Sequence, residues 1–368
     1  MKFTVKRDSL LKVLQKVTGI VPQRTSFEIL TSIYIHTLEN KIEISSTDLD
    51  IAITSSCEAD IIQKGDVVIN AKRFHLFIKE VFDDIIEMET SESEFVIKTS
   101  NGNYKMPLAD VEKFPQIPEF SNPPIFTIEP SKLIDYIDRT SFLVSKDEMK
   151  PSITGVYFYT DGEKLYIVAT DGHRLVELKA KEVQLSGKIN AIIPPKSLNH
   201  LKRITEEESK NIDVYFESNS VGFKINGDFI STKIISGEFP NYKEVIPKDN
   251  NKIVLVDRDE FLYALRRISL FSNPANHEVK FIFSDNLINL QASAANIGSG
   301  EEKLDAEYNG EQLTIGFNAN DFSEIIKRIP SNRLLLKLNN ELSATLILPE
   351  EDNSEFDIFY IMMPLRLE

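Results

Sequence analysis

Two stretches carry apolar residues at i, i+3, i+4 and i+7: Phe74, Phe77, Ile78, Val81 and Phe322, Ile325, Ile326, Ile329. With polar residues on the opposite side, each predicts an amphipathic helix. Shorter runs of the same period bring the helices to six, over residues 7–17, 72–79, 132–139, 196–203, 259–267 and 321–328. Between them, alternating or β-branched runs predict strands. Examples are Ser32 to Thr37, Lys41 to Ser45, Asp50 to Ser55, Val156 to Tyr159, Leu165 to Ala169, Lys280 to Phe283 and Leu287 to Ala292. Glu39-Asn40, Asp161-Gly162 and Asp285-Asn286 fit as turns, because Asn, Asp and Gly tolerate the backbone that a reversal requires.

These elements recur. Phe3-Thr-Val5, Phe126-Thr-Ile128 and Ile253-Val-Leu-Val256 each lead into a helical pattern. Ile69-Asn-Ala-Lys-Arg-Phe74, Ile193-Pro-Pro-Lys-Ser-Leu198 and Phe317-Asn-Ala-Asn-Asp-Phe322 follow one another at intervals of 124 residues. Each ends a strand and opens a helix, and Asn70 and Asn318 are expected as N-caps, accepting from otherwise unpaired helix amides. The repetition points to three tandem copies of one α+β domain, each with two helices and about eight strands. Asn122-Pro-Pro124 and Pro247-Lys-Asp-Asn-Asn251 are poor in apolar residues and place the boundaries at 1–124, 125–247 and 248–368.

Apolar residues make up 42% of the 368, enough for true cores. The single cysteine, Cys57, excludes a disulfide framework and any multi-Cys zinc site. It suits a reducing cytosol and reads as a small strand residue without a redox role. The start, Met1-Lys-Phe-Thr-Val5, has no apolar signal core, and no run reaches membrane-spanning length.

Net charge is −15, which taken alone argues against nucleic acid. Sorting by element changes that picture. The six helical segments hold 15 basic and 7 acidic residues, net +8, so the remainder carries −23. A basic surface attracts phosphates while an acidic exterior discourages adhesion elsewhere. Cations favoured at helix C-termini are the competing explanation. It covers Arg266, Arg267, Lys327 and Arg328, but not Lys72, Arg73 and Lys196, which fall in first turns. Aromatic interleaving and base-reading motifs are missing from these stretches, which leaves sequence-independent contact with duplex backbone.

Candidate chemistry is sparse. Thr170-Asp-Gly-His-Arg174 could be a catalytic cluster with Asp171 orienting His173 as a base, yet Asp-Gly is a strong turn signal and no nucleophile motif accompanies it. Thr47-Asp-Leu-Asp50 would set Asp48 and Asp50 on one face of a strand, but no further metal ligands follow at EF-hand spacing. His36, His75, His200 and His277 are scattered, and no phosphate-cradling glycine loop is present. The expectation is a protein with no catalytic residue, cofactor or metal.

Several strings together resemble one family. They are Met1-Lys-Phe-Thr-Val5, Thr47-Asp-Leu-Asp50, Ala169-Thr-Asp-Gly-His-Arg-Leu175, Phe239-Pro-Asn-Tyr242 and the ending Met363-Pro-Leu-Arg-Leu367. They are similar to the bacterial sliding clamp, the beta subunit of DNA polymerase III, from the first residue to the last. The resemblance implies three DNA-clamp domains, each with two helices packed on antiparallel sheets. Two chains would join head-to-tail into a six-domain ring with basic helices facing double-stranded DNA. It also implies contacts to the replicative polymerase alpha subunit, the clamp-loader ATPase complex, and other polymerases and repair proteins. The implied setting is bacterial, cytoplasmic and nucleoid-associated, with no membrane. The competing reading is a three-repeat interaction scaffold that never encircles DNA.

Family partners dock a peptide, roughly Gln-x-x-Leu-Phe, between the second and third domains. Carried over, one part of that pocket is Thr170, Gly172, His173, Arg174 and Leu175, with Ile153, Pro240, Val245, Ile361 and Met363 as apolar walls. The adjoining part is Asn318, Pro364, Leu365 and Arg366, with Leu342 and Ala344. Ser152 stands where members often carry an aromatic residue, Glu244 where some carry a base, and Glu368 extends the ending by one. The resemblance assigns DNA contact to Arg24, Arg73 and Lys196, and charge adds Lys146, Lys150 and Lys202. The dimer is expected to join residues Lys72 to Asp84 of one chain to residues 267–306 of the other.

Overall fold

The computed structural model describes every residue except Glu92, 206–209, Ser218, Asp352, Ser354 and Glu368, so the extra residue Glu368 lies outside the described residues. One order of elements, β-α-ββββ-α-βββ, occurs three times. The first copy runs β1 (Lys2–Lys6), α1 (Arg7–Val17), β2 (Ser32–Thr37), β3 (Lys41–Thr47), β4 (Ile51–Gln63), β5 (Asp66–Asn70), α2 (Ala71–Glu80), β6 (Ile85–Thr90), β7 (Glu94–Thr99) and β8 (Gly102–Pro107). The second runs β9 (Phe126–Ile128), α3 (Pro130–Thr140), β10 (Val156–Thr160), β11 (Leu165–Thr170), β12 (Arg174–Ala180), β13 (Asn190–Ile193), α4 (Pro195–Ile204), β14 (Ile212–Glu217), β15 (Ser220–Ile225) and β16 (Asp228–Lys233). The third runs β17 (Lys252–Asp257), α5 (Arg258–Ser269), β18 (Glu278–Ser284), β19 (Leu287–Ala294), β20 (Gly298–Glu307), β21 (Leu313–Asn318), α6 (Ala319–Ile326), β22 (Arg333–Leu338), β23 (Thr345–Pro349) and β24 (Phe356–Met362).

Two compact units cut across the middle copy: residues 1–133 with 193–234, and 134–192 with 235–368. Each holds one antiparallel sheet of 12 strands. In the first unit the path is β8-β7-β6-β1-β4-β16-β15-β14-β9, with β3 also on β4, and β2 joining β3 to β5. In the second it is β13-β10-β11-β12-β24-β23-β22-β17-β20-β19-β18-β21. Strands of two successive copies therefore share a ladder in each unit, through β4–β16 and β12–β24.

The helical stripes bury against these sheets. Leu10, Leu14 and Val17 of α1 and Phe74 and Ile78 of α2 are fully buried in the first unit. Phe261, Leu265, Phe322, Ile325 and Ile326 fill the equivalent core of the second, where Phe261, Phe281, Phe317 and Phe322 pack edge to face or stacked. Asn70 caps α2 by accepting from Arg73 N (2.9 Å), and Asn318 caps α6 by accepting from Asn320 N and Asp321 N (3.0 and 3.1 Å). Asp257 caps α5 in the same way, accepting from Glu260 N at 2.9 Å. Phe77 departs from its stripe: it is half-buried, packed on Tyr104 at 4.6 Å.

Three expectations need correction. α6 ends at Ile326: Lys327 N still makes the helical bond to Ser323 O, but Arg328 N and Ile329 N bond only three residues back, to Ile325 O and Ile326 O. With the observed ends the six helices hold 14 basic and 8 acidic residues, net +6. The surplus is concentrated in α1, α2 and α4, while α6 is net negative. Asp48 and Asp50 are not on a strand face; they lie in the turn between β3 and β4, where Asp48 Oδ1 accepts from Asp50 N and Ile51 N.

Candidate functional site

Thr170 to Arg174 forms a tight turn at the β11–β12 hairpin. Thr170 Oγ1 donates to Arg174 O (2.6 Å) and accepts from Gly172 N (3.1 Å). Asp171 Oδ1 accepts from the amides of His173 and Arg174 at 2.9 and 2.8 Å. Gly172 has φ +92°, a conformation that favours glycine. The Asp171 carboxylate thus serves backbone amides and Arg174, which removes the geometry of an Asp–His catalytic pair.

Arg174 is buried and reaches α6. Its guanidinium meets Asp171 Oδ2 (3.1 Å), Glu324 Oε2 (2.9 Å), Asp321 Oδ1 (3.3 Å) and Asp321 O (3.2 Å). Burial raises the Asp321 carboxyl above its ordinary range, with Arg174 pulling the other way and Asp171 and Glu324 adding to the rise. For Arg174, burial works against the charge and the three carboxylates more than offset it.

The C-terminal segment closes onto this turn. Met363 N donates to His173 O (2.9 Å), and Leu365 N donates to Gly316 O (2.8 Å), laying the chain end along β21. A side chain at Gly316 would strike Leu367 and Leu365 O, so glycine permits this approach. Beneath lies an apolar cluster of Val168, Leu175, Tyr242 and Ile361, with Phe239, Ala344 and Leu346 packed on it. Val245 and Met363 are 56% and 46% exposed beside that cluster's elements.

The structure brings most of the expected pocket residues together in the second unit. Thr170, Gly172, His173, Arg174 and Leu175 are one turn and strand; Ile361 pairs with Leu175; Met363, Pro364, Leu365 and Arg366 follow from β24; Asn318 begins α6. Ile153 is buried at the end of a 3-10 turn and holds Ser145 N through its carbonyl (2.8 Å). Pro240 precedes Tyr242, whose hydroxyl meets Glu177 and Tyr159. Leu342 is exposed in the turn between β22 and β23, and Arg366 lines a polar cleft with Lys280, Gln291 and Glu301. Asp321, Glu324, Tyr242 and Glu177 were not foreseen. Only the Phe239-Pro-Asn-Tyr242 string hinted at one of them, because the others act across long sequence separations.

The basic residues divide into engaged and outward-facing groups. Arg7 donates to Ile78 O and Lys79 O (3.3 and 2.8 Å), and Arg258 donates to Ile329 O (3.2 Å), so each closes the C-terminal end of its copy's second helix. Arg139 bonds Arg328 O, and Arg328 Nε donates to Asp138 O at 2.7 Å. Lys16 pairs with buried Asp228 (2.9 Å), and Lys196 pairs with Asp48. Burial works to raise the Asp48 carboxyl, but Lys196 and the turn amides outweigh it and hold it below the usual carboxylate range. Arg24, Arg73, Lys146 and Lys150 are exposed, and Lys202 is half-buried. Burial pushes the Cys57 thiol up to about 12.

This fold and these strings can be set against known proteins. Three family models match in order: the DNA polymerase III beta subunit N-terminal domain over residues 1–118, its central domain over 127–241, and its C-terminal domain over 243–366. The chain belongs to the DNA polymerase III beta subunit family. The Chlamydia pneumoniae beta sliding clamp is 29% identical over 370 residues, covering 100% of this chain and 99% of that protein. The Pseudomonas aeruginosa beta sliding clamp is 27% identical over 370 residues, covering 100% of both. A crystal structure of the DNA polymerase sliding clamp from Bacillus subtilis superposes with a TM-score of 0.94 at 26% identity, covering 100% of both chains. The three-copy α+β architecture of this beta subunit family member is thus the architecture of those clamps.

Proposed function

We propose that this chain is a sliding clamp, the processivity factor of DNA polymerase III. Its three domains, 1–124, 125–247 and 248–368, would close with those of a second copy into a head-to-tail, six-domain ring around double-stranded DNA. The observation that carries the reading is the presence of all three beta-subunit domains, in order and at full length. The basic surplus of α1, α2 and α4 agrees with it, with Arg24, Arg73, Lys146, Lys150, Lys196 and Lys202 as phosphate contacts. Encirclement makes such sequence-blind contacts sufficient, because a topologically linked ring keeps its cargo at high local concentration.

Two features support ring closure. Leu76, Phe82 and Ile85 are 53%, 98% and 61% exposed in the first unit, and Leu270 and Phe271 are 72% and 37% exposed in the second. These apolar patches coincide with the segments expected to join, except that Ile85 lies one residue beyond. Each unit also offers an unfilled strand edge there: among the described residues, β8 pairs only with β7, and residues 298–305 of β20 pair only with β19.

In this reading the surface around the Thr170 turn, Ile361 and the 363–366 segment takes the Leu-Phe anchors of partner peptides. The partners are the replicative polymerase alpha subunit, the clamp-loader ATPase complex, and other polymerases and repair proteins, acting at the bacterial nucleoid in the cytoplasm. The chain performs no catalytic step of its own. The test is retention after loading by a clamp-loader ATPase with ATP. The ring should stay on circular duplex in high salt and slide off linear duplex with free ends. Equal loss from both DNAs would leave the interaction-scaffold reading instead.

A further inference from the structure

The Thr170 turn has a counterpart in the first copy, and the two use their aspartates differently. Thr47 Oγ1 donates to Ile51 O (2.9 Å) and accepts from Leu49 N (3.0 Å), as Thr170 does with Arg174 O and Gly172 N. Asp48 Oδ1 accepts from Asp50 N and Ile51 N (3.1 and 2.8 Å), as Asp171 Oδ1 does from His173 N and Arg174 N. The second oxygens diverge. Asp171 Oδ2 meets Arg174 of its own turn at 3.1 Å. The first copy has Ile51 in that place, so Asp48 Oδ2 finds its cation elsewhere and bonds Lys196 Nζ, in the first turn of α4. Both residues lie in the first unit.

The pair is lopsided. The Asp48 side chain is 12% exposed with both oxygens engaged, whereas that of Lys196 is 58% exposed. The carboxylate is therefore fixed in its turn while the ammonium stays open to solvent. A lysine ammonium carries more donors than one carboxylate oxygen uses, so Lys196 can still meet an anion from outside. That anion feels the carboxylate as well as the ammonium, and the pair attracts it less than a lone lysine would. An acid is not needed to hold a lysine at this place. Lys72 occupies it in α2, where Ile69-Asn-Ala-Lys72 repeats Ile193-Pro-Pro-Lys196, and is exposed without an ion pair among the described residues. Arg24, Arg73, Lys146 and Lys150 are likewise exposed without an ion pair among the described residues.

We propose that Asp48 sets how firmly the chain holds DNA: by occupying Lys196 it weakens that lysine's contact with a duplex phosphate. Asp48 acts through Lys196 and does not touch the DNA itself. The inference rests on the DNA contact assigned to Lys196 in the sliding-clamp reading, and a loosened contact suits a ring that has to travel along its duplex.

The test is the salt dependence of equilibrium binding, read by anisotropy of a fluorescein-labelled linear duplex of arbitrary sequence titrated with the full chain. One further phosphate neutralised steepens the fall of log K with log salt by about 0.9. Asp48→Asn should show that steepening, with tighter binding at about 50 mM NaCl and an advantage that shrinks about threefold by about 200 mM. The variant's amide oxygen can still accept from Asp50 N and Ile51 N, and a gain in affinity is not a result that misfolding mimics. Asp50→Asn controls for charge alone: it removes the same charge from the same turn, where Asp50 meets Lys233 of β16 at 3.6 Å. Its slope should match wild type, and so should that of Asp48→Asn combined with Lys196→Gln. An unchanged slope in Asp48→Asn would overturn the proposal. So would an equal steepening in Asp50→Asn, or a steepening that survives Lys196→Gln. Binding undetectable in wild type and in every variant would overturn it together with the DNA contacts. Slopes as expected, with equal loss from circular and linear duplex after loading, would fail the ring and uphold the role of Asp48.

Discussion

Replacing Arg174 by alanine removes the one cation among three carboxylates. Its side chain is 9% exposed, and Asp171, Asp321 and Glu324 are 21%, 33% and 50% exposed. Breaking a buried ion pair by deleting one partner costs about 3–5 kcal/mol, since the remaining charge is stranded. Here Glu324 and, in part, Asp321 can rehydrate, which reduces the expected cost to about 2–3 kcal/mol. For a unit of this size that is a fall of roughly 5–10 °C in its unfolding midpoint. The sign of the pH dependence follows from Asp321. Its carboxyl is raised by burial and by its acidic neighbours, so the native state binds its proton more readily than the unfolded chain does. Without Arg174 that rise is larger. The deficit of Arg174→Ala should therefore be complete above the raised value and shrink as pH falls through the ordinary carboxylate range. The same variant unties the Thr170 turn from α6, and affinity for a Gln-x-x-Leu-Phe peptide should drop at least tenfold by fluorescence polarisation. Wild-type unfolding and wild-type peptide affinity in Arg174→Ala would refute the argument.

Deleting residues 363–368 should abolish binding of the same peptide while sedimentation still reports a dimer; retained peptide affinity would count against the surface. Arg73→Glu with Lys196→Glu should reduce salt-resistant retention on circular DNA and spare peptide binding, and unchanged retention would remove those residues from the phosphate contacts. Lys196→Glu alone also turns a like charge toward Asp48. The stability that the lowered Asp48 carboxyl contributes is present above the ordinary carboxylate value and lost as pH falls through the lowered one, so this part of the pH profile should disappear in the variant. Phe82→Asp should yield monomers by sedimentation, because the side chain is 98% exposed in the single chain and has no folding role to lose; a persistent dimer would place the interface elsewhere.

Local chemistry was readable in the chain and distant chemistry was not. α1 spans residues 7–17 as expected, and Asn70 and Asn318 cap their helices, since a stripe and a cap are written within a few consecutive residues. β4 runs to Gln63, well past the expected Ser55, because Ser55 to Glu58 break the alternation while β1 and β3 still pair along it. The Thr170 turn was legible from Asp-Gly. Its tie to α6 was not, because Asp321 and Glu324 lie about 150 residues further on. The ion pairs of Lys16 with Asp228 and of Lys196 with Asp48 were hidden for the same reason, since the partners meet only through the fold. The split of the middle copy between two units is equally absent from a pattern that repeats every 124 residues.

That split bears on how relatives could exchange parts. A chimaera joined at 124/125 and 247/248 would respect the repeat yet set foreign residues against native ones along both β4–β16 and β12–β24, the first matched over four registered pairs and the second over seven. Grafts that keep each ladder whole would instead be cut through the middle copy, near 133, 192 and 234. The natural cassette of this architecture is one terminal copy together with the part of the middle copy that completes its sheet, and shuffling by whole copies would break the seams that hold it.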